Sequence, residues 1–394
     1  MLLTLIAFLV ILSVLVLIHE AGHYFVAKKF GIKVEEFGFG LPLTKALYSF
    51  KHGETMYSIY PALIGGFVKL YGEDEAGSGR VAVKDASDLH HATDVHRAFF
   101  SRSIGQRAAV VIAGVVMNTL LAVAIYYVFM FVSGFKTELP LIGSFHFFAV
   151  NQKVQTDIIV SDVEKNSPAE AAKVSPFSKI TSLNGKPVGT LEQFTDEVKK
   201  DAGHPIRLSW QDLQTGKVST ATITPRMHPP RNQGSLGVGI FTAQTVILSY
   251  DTPMQRLFSG FTHPANLMAY NFDVLGSLIG VSVKEKNVQP LSQSVSGPVG
   301  IYSLVGTIVH IPNAKERILE TLNLVGLLSI SLAFFNVLPI PGLDGGRLFF
   351  ILMEAVTRKK LNPKIEGYAN AIGMAILIGL ILLITVKDIL QLGH

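Results

Sequence analysis

His19-Glu20-Ala21-Gly22-His23 closes an uncharged, apolar run that extends from Leu2 to Ile18. Two histidines four residues apart lie on one face of a helix, so both imidazoles can bind the same metal ion. Glu20 is then placed to hold and deprotonate a water on that metal. Ionisable groups at the end of a membrane-spanning helix are costly unless they bind a ligand or line a wet cavity. The stretch therefore predicts a metal-dependent hydrolytic site on a transmembrane helix, although a structural pair of histidines has the same spacing.

The composition is that of a multi-pass membrane protein. Of the 394 residues, 49% are hydrophobic and 16% are charged, and the mean hydropathy is +0.40. The net charge of +5 does not indicate nucleic acid as a partner, because no basic stripe with interleaved aromatic residues occurs. Basic residues at membrane borders account for the charge. With no cysteine, the chain forms neither disulfides nor a cysteine-ligated zinc site.

Four apolar segments are long enough to cross a bilayer. The predicted spans are residues 1–27, 108–133, 318–346 and 368–387. The first lacks the basic start and small-residue cleavage site of a signal peptide, so we expect it to be retained. Eleven Lys and Arg residues flank the span ends on one side and four on the other, and the richer side is expected to be cytosolic. Both termini would then be extracytoplasmic, with His19 near the cytosolic end of its helix.

A later segment supplies a possible third metal ligand. Asn336-Val337-Leu338-Pro339-Ile340-Pro341-Gly342-Leu343-Asp344-Gly345-Gly346 has two prolines that end a helix and leave backbone groups unpaired at membrane depth. Such a break is tolerated only where it is buried in protein or lines a wet site. Two histidines and the carboxylate of Asp344 leave one position of a tetrahedral zinc site open for water. A proline-rich loop that leaves the membrane would carry the same residues without binding a metal.

The long region between the second and third spans contains a small module. Residues 157–225 alternate as short strands around two helices, and Ser167-Pro168 opens the first helix as cap and first residue. The pattern resembles a PDZ domain and predicts a PDZ-like module at 145–230, followed by an extracytoplasmic connecting region at 231–317. Ser178-Lys179 replaces the usual Gly-Asp pair and no carboxylate-binding loop is recognisable, so peptide contact through the module stays open.

H-E-x-x-H in the first span together with N-x-x-P-x-P-x-L-D-G in a later one resembles the site-2 protease family of intramembrane zinc metalloproteases, in its bacterial RseP-type branch. Gly114-Val115-Val116-Met117-Asn118 and Ser296-Gly297-Pro298-Val299-Gly300 resemble further motifs of that family. The resemblance implies a mainly α-helical membrane protein of four transmembrane helices. A small α+β PDZ-like domain would be inserted between the second and third spans.

The same resemblance implies a cofactor, residue roles and partners. One Zn²⁺ per chain would be bound by His19, His23 and Asp344, and Glu20 would be the catalytic acid/base. The family lies in the bacterial inner membrane, in contact with the lipid bilayer, and cuts spans of single-span proteins that another protease has trimmed, often anti-sigma factors, and remnant signal peptides. Substrate binding or transition-state support is assigned to Asn336, Asn118, Gly65, Gly66, Phe67, Val68, Lys69 and Leu70.

Residues 28–107 are predicted to be a cytosolic or membrane-associated loop with a β-hairpin. Thr55–Tyr60 and Phe67–Tyr71 are β-prone and joined through Gly65-Gly66, so the hairpin would either offer an edge strand to substrate or be an ordinary cytosolic hairpin. Phe272–Val283 is apolar but too short to span, and we expect it to pack or lie at the interface outside the membrane. His90, His91 and His96 stand among aspartates, where a solvated loop is the simpler interpretation.

Two other classes of protein remain open at this point. A catalytically silent membrane scaffold would recruit partners through the PDZ-like module, although all three proposed ligands and the glutamate are present. A zinc or cation transporter would need ionisable residues along the middle of several spans, and the middle portions here carry none.

Overall fold

The computed structural model describes residues 1–73, 95–213, 216–231, 233–287, 296–359 and 363–392. The chain forms two compact units, one comprising Met1–Gly134 with Arg256–His394 and the other Phe135–Gln255. Among the described residues, four helices are long and apolar enough to cross a membrane. The prediction of a mainly helical protein with four such helices and a β-rich region is confirmed.

The helices are α1 (Leu2–Lys29), α2 (Ile104–Ser133), α3 (Pro168–Ala171), α4 (Leu191–Lys200), α5 (Pro253–Glu285), α6 (Pro298–Val309), α7 (Ala314–Val337), α8 (Asp344–Thr357) and α9 (Pro363–Leu392). The strands are β1 (Val34–Leu41), β2 (Tyr48–His52), β3 (Thr55–Ile59), β4 (Ala62–Leu70), β5 (Lys136–Pro140), β6 (Asn151–Val163), β7 (Ser178–Leu183), β8 (Lys186–Pro187), β9 (Ile206–Asp212), β10 (Val218–Ile223) and β11 (Val238–Ser249).

The candidate spans are α1, α2, α7 and α9, and local sequence signals explain where α2 begins and ends and where α7 begins and ends. Ser103 and Gln106 form a capping box at the start of α2, and Gly134 ends it in the left-handed conformation. Asn313 accepts hydrogen bonds from the first turn of α7. That helix ends at Val337, as the two following prolines predict. The α8 helix after them was not predicted, because its apolar run is too short to span and follows two glycines.

The first unit contains a four-stranded sheet in the order β2-β3-β1-β4. The predicted hairpin of Thr55–Tyr60 with Phe67–Tyr71 is wrong, because β1 lies between β3 and β4 and pairs with both. The hairpin that does form joins β2 to β3, through a turn in which Gly53 has a φ of 63°. This is the conformation that glycine supplies at tight hairpin turns. As a result β4 is an edge strand of the sheet.

This sheet is attached to the Lys29 end of α1. Tyr24 and Tyr57 share a hydrogen bond of 2.8 Å between their hydroxyls. Glu54 pairs with Arg97 and Lys28, at 2.8 Å and 2.7 Å, and Arg97 with Lys28 lowers the pKa of Glu54 to about 2. These contacts attach the β2–β3 hairpin to the Lys29 end of α1.

Glycines allow the central helices to approach closely. A Cβ on Gly22 of α1 would lie 2.4 Å from the Ala113 carbonyl oxygen of α2, and a Cβ on Gly326 of α7 would lie 2.8 Å from the ring of Tyr126. Arg107 of α2 binds Glu354 of α8 through two hydrogen bonds of 3.0 Å and 2.9 Å. The helix pairs α1–α2, α2–α7 and α2–α8 therefore form one packed assembly around α2.

The α5 helix contains the apolar segment Phe272–Val283 and extends beyond it at both ends. Its His263 ring lies 4.7 Å from the ring of Tyr126 in α2, and its Phe272 ring lies 4.2 Å from that of Phe334 in α7. The α5 helix thus packs against two of the candidate spans, and the expectation that Phe272–Val283 lies outside the membrane stays a prediction. Polar residues such as Ser259 and Asn266 are buried in this helix, and they lower its hydropathy, so its sequence does not predict a membrane span.

The second unit is a sheet in the order β10-β9-β7-β6-β11-β5, with β8 paired to β7. Its core contains Leu183, Phe194, Leu208 and Trp210, all nearly inaccessible to solvent. The sheet extends beyond both limits of the predicted 145–230 module, because β5 precedes it and β11 follows it. The sequence of β11 alone does not identify its long partner β6, since that pairing is non-local.

Candidate metal centre

Three side chains distant in the sequence converge between α1 and the start of α8. His19 Nε2 lies 2.9 Å from Asp344 Oδ2 and 3.2 Å from His23 Nε2. His23 Nε2 lies 3.2 Å from the same carboxylate oxygen. In the described part of the chain, these three form the one group of His, Asp or Glu side chains close enough to hold a metal ion.

The spacing of these atoms fits zinc. Zinc binds imidazole nitrogens and carboxylate oxygens at about 2.0–2.2 Å in a tetrahedron, so neighbouring ligand atoms lie roughly 3.3 Å apart. The observed separations of 2.9–3.2 Å approach that edge length. Two neutral imidazoles and one carboxylate are also a donor set that zinc prefers. The three residues therefore fit a zinc ion with a fourth position left open.

The tautomer of His23 is fixed by the backbone of α2. Its Nδ1 donates a hydrogen bond of 2.8 Å to the Val110 carbonyl oxygen. The proton is thus held on Nδ1, and the lone pair of Nε2 faces His19 and Asp344. Metal-binding histidines are commonly oriented by such a bond from the other ring nitrogen.

Asn118 contacts the Nδ1 atom of His19, as the Val110 carbonyl contacts that of His23. It is fully buried in α2, and its side-chain amide lies 3.2 Å from His19 Nδ1. Among the described residues its Oδ1 has no hydrogen-bond partner. Rotating the amide by 180° would let that oxygen accept the Nδ1 proton, which His19 must carry when Nε2 binds a metal. Asn118 was assigned from the family motif to substrate binding or transition-state support, but its contact is with a metal ligand.

A glycine provides the space for both imidazoles. A Cβ on Gly114 would lie 2.5 Å from His19 Cε1 and 2.5 Å from His23 Nε2. Non-bonded carbon atoms normally stay about 3.5–4.0 Å apart, so only glycine fits at this position of α2. The first glycine of the G-x-x-x-N motif therefore lets both imidazole rings pack directly against the backbone of α2.

Asp344 is placed by the tight loop between α7 and α8. Gly342 has a φ of 95° and donates its N–H to Asn370 of α9. Cβ atoms on Gly345 and Gly346 would lie 2.1 Å and 2.4 Å from carbonyl oxygens of the loop. The glycines around Asp344 are thus required by close backbone contacts, which bring the carboxylate to the histidines.

Glu20 lies beside these residues in a cavity of about 210 Å³. The cavity is lined by Glu20, His23, Phe67, Val68, Leu70, Glu73, Val110, Val111, Asp344 and Arg347. A Cβ on Gly66 would lie 3.3 Å from Cγ of Glu20, so β4 runs directly against the glutamate. An acidic group, two of the three metal-binding side chains (His23 and Asp344) and the edge of a strand therefore meet in one partly apolar cavity.

The remaining predicted residues divide into two groups. Phe67, Val68 and Leu70 line the cavity, and Gly65 and Gly66 lie next to them in β4. Lys69 is exposed and lies 3.6 Å from Glu35, outside the cavity lining. Asn336 is half-buried on the last turn of α7, and no hydrogen bond joins it to the metal-binding side chains in the described structure.

Sequence reasoning missed three contributors to the site. In the sequence, Gly114 was noted only as part of the G-x-x-x-N motif, and Arg347 only as one of the basic residues that flank the span ends. Glu73, which pairs with Arg347, gave no sequence signal because its partner is 274 residues away. His90 and His91, with the neighbouring aspartates, lie outside the described residues.

The sequence of residues 7–380 matches the family model described as Peptidase family M50. A curated protein of Clostridium perfringens is 31% identical over 379 residues, which cover 96% of each chain. The zinc metalloprotease RasP of Geobacillus kaustophilus is 26% identical, covering 98% of this chain and 97% of its own. Among solved structures, the PDZ domain of an SdrC-like protein from Listeria monocytogenes covers 25% of this chain and 93% of that one, at 14% identity and a TM-score of 0.19.

Proposed function

Because the chain belongs to peptidase family M50 and is an intramembrane zinc metalloprotease, we propose that it hydrolyses peptide bonds within the spans of pre-trimmed membrane proteins. Anti-sigma factors and remnant signal peptides are the substrate classes that the sequence resemblance suggests. The observation that carries the proposal is that His23, Asp344 and Glu20 meet the edge of β4 in one cavity, with His19 completing the group of metal-binding side chains.

One zinc ion per chain would be held by His19 Nε2, His23 Nε2 and a carboxylate oxygen of Asp344. When bound, zinc polarises the scissile carbonyl and lowers the pKa of water toward 7. Val110 and Asn118 hold the two imidazoles in the tautomers that this binding needs. Gly114 keeps the rings close to α2, so the three ligand atoms stay in place.

Glu20 is the proton carrier. Its carboxylate takes the proton of the attacking water and later delivers it to the nitrogen of the leaving amine. The apolar walls of the cavity, formed by Phe67, Val68, Leu70 and Val111, limit the amount of water around the reacting bond.

The edge of β4 presents the substrate. A helix in lipid hides its peptide bonds behind its own hydrogen bonds, so an unwound segment must be offered replacement partners. The free N–H and C=O groups of an edge strand provide them by strand addition. Asn336, half-buried at the end of α7, can donate and accept further hydrogen bonds.

The protein lies in a bacterial inner membrane with both termini and the β-rich second unit outside. The excess of Lys and Arg at the opposite span ends supports this orientation. The second unit acts as a PDZ-like domain that contacts peptide ends or filters substrates by size. Its strands around two short helices, the first capped by Ser167, support that assignment.

The test uses the purified full-length protein and a transmembrane test peptide, with and without a zinc chelator. Chelator-sensitive cleavage inside the membrane segment is expected, and it should disappear in Glu20→Gln. A silent scaffold would bind partners without cleaving, and a transporter would move zinc across proteoliposomes without cleaving. Either of those results would refute the proposal.

A further inference from the structure

An arginine lies in the catalytic cavity and has no part in the proposed reaction. Arg347 follows Asp344 by three residues on α8, so both side chains lie on the same face of the helix. Both line the cavity together with Glu20 and His23. It is the one Lys or Arg among the described residues that line this cavity.

Glu73 holds this arginine in place. Arg347 Nη1 lies 2.7 Å from Glu73 Oε1, and the side chains are 33% and 12% exposed, respectively. Glu73 is therefore the covered partner, and the guanidinium is the group that an incoming chain meets. A guanidinium has five N–H donors in a planar fork, more than one carboxylate can use.

The second Arg–Glu pair of α8 shows what a purely structural pair looks like here. Arg107 and Glu354 form two hydrogen bonds, their side chains are 12% and 15% exposed, and neither lines the cavity. That pair joins α2 to α8. The Arg347 pair differs in being more open and in facing the reacting groups.

The distance along the substrate follows from helix and strand geometry. Three residues of α-helix rise about 4.5 Å, which is the length of one to two residues of extended chain. Glu73 follows β4 by three residues, so a substrate laid along β4 reaches Arg347 as it passes the Leu70 end. Under the proposed orientation this is the cytosolic side of the cut.

We propose that Arg347, held by Glu73, is a specificity-determining residue that binds an acidic side chain of the substrate one or two residues to the cytosolic side of the cut bond. The assignment rests on the proposed function. Phe67, Val68 and Leu70 make the surroundings apolar, where an ion pair is stronger than in water. Glu73 acts as a positioning residue, because it orients the guanidinium without itself meeting the substrate.

The test compares test peptides that carry Glu, Gln or Lys at one of two positions, either one or two residues to the cytosolic side of the cut. The position at which the three residues differ most is used for the variants. With Glu there, kcat/KM should exceed that of the Gln peptide by about tenfold to a hundredfold, as expected for a charge-assisted hydrogen bond. A Lys peptide should be cleaved more slowly than the Gln peptide. In Arg347→Gln the Glu-to-Gln ratio should fall to near one, whereas Glu354→Gln, which removes the structural pair, should keep the ratio.

Further variants distinguish recognition from packing. Exchanging the charges in Glu73→Arg with Arg347→Glu should turn the preference toward the Lys peptide, and Glu73→Gln should reduce the preference mainly through KM. Equal cleavage of the Glu, Gln and Lys peptides by the wild-type protein would overturn this assignment alone, and that result needs no variant to fold. No chelator-sensitive cleavage of any peptide would overturn the proposed function, and this assignment with it.

Discussion

The substitution Gly114→Ala tests whether the two imidazoles depend on α2 for their position. The added Cβ would lie 2.5 Å from His19 Cε1 and from His23 Nε2. Relief to an ordinary contact of about 3.5 Å requires a movement of roughly 1 Å. Zinc sites keep ligand distances within about 0.2 Å of their usual values, so this movement is several times larger than the site tolerates.

The same change should leave the protein folded. Overpacking of this kind costs about 1–3 kcal/mol, and replacing a helical glycine by alanine returns up to about 1 kcal/mol. The net loss of about 0–3 kcal/mol is smaller than the stability of a typical folded protein. We therefore expect zinc binding and cleavage to be lost while the helical content stays native.

The assay measures bound zinc, circular dichroism and peptide cleavage on purified Gly114→Ala. Gly105→Ala is the matched control, because Gly105 lies on the same helix and a Cβ there would meet nothing within 4 Å. The control should keep zinc and activity. If Gly114→Ala retains as much zinc and activity as Gly105→Ala, the positions of the two imidazole rings do not depend on the glycine at position 114.

The remaining predictions concern the ligands, their support and the substrate. Glu20→Gln should abolish cleavage with zinc retained, since the amide cannot carry the proton; residual cleavage near the wild-type rate would contradict its role. Asp344→Asn should reduce both zinc content and activity, at least about 10–100-fold in affinity, and full metal occupancy in this variant would place the third ligand elsewhere. Asn118→Ala should raise the zinc dissociation constant by about 10–100-fold in a competition titration, because His19 loses the partner of its Nδ1; an unchanged constant would leave Asn118 a packing role only. A test span with Gly and Pro near its cytosolic third should be cut faster than a Leu/Ala-rich one, with Asn336→Ala slowing both, and equal rates throughout would show that unwinding does not limit this enzyme.

The identity of the protein was accessible from sequence because its signals are local. H-E-x-x-H on an apolar helix and the Asn336–Gly346 segment indicated the site-2 protease family, and the match to Peptidase family M50 confirms that indication. The family resemblance also supplied Asp344 as the third ligand. Apolar length predicted the four candidate spans, since a helix crosses a bilayer only if it is long enough.

The errors concern elements whose neighbours are distant in the chain. Two β-prone segments were taken as a hairpin, whereas β1 separates them in the sheet. The apolar segment Phe272–Val283 was taken as a short helix, whereas it is part of the 33-residue α5 helix, in which polar residues such as Ser259 and Asn266 are buried. The sequence records how polar a residue is but not which surface covers it.

By itself, the sequence determined the helical spacing of His19 and His23, the apolar spans and the proline break before Asp344. These features depend on residues within one or two turns of each other, where geometry is set by the backbone. Only the tertiary structure decided that the two imidazole rings pack against Gly114, that Asn118 contacts the ring of His19 and that Glu73 pairs with Arg347. Such contacts join residues about 90 to 270 positions apart, and they exist only because helix packing and strand pairing bring those surfaces together.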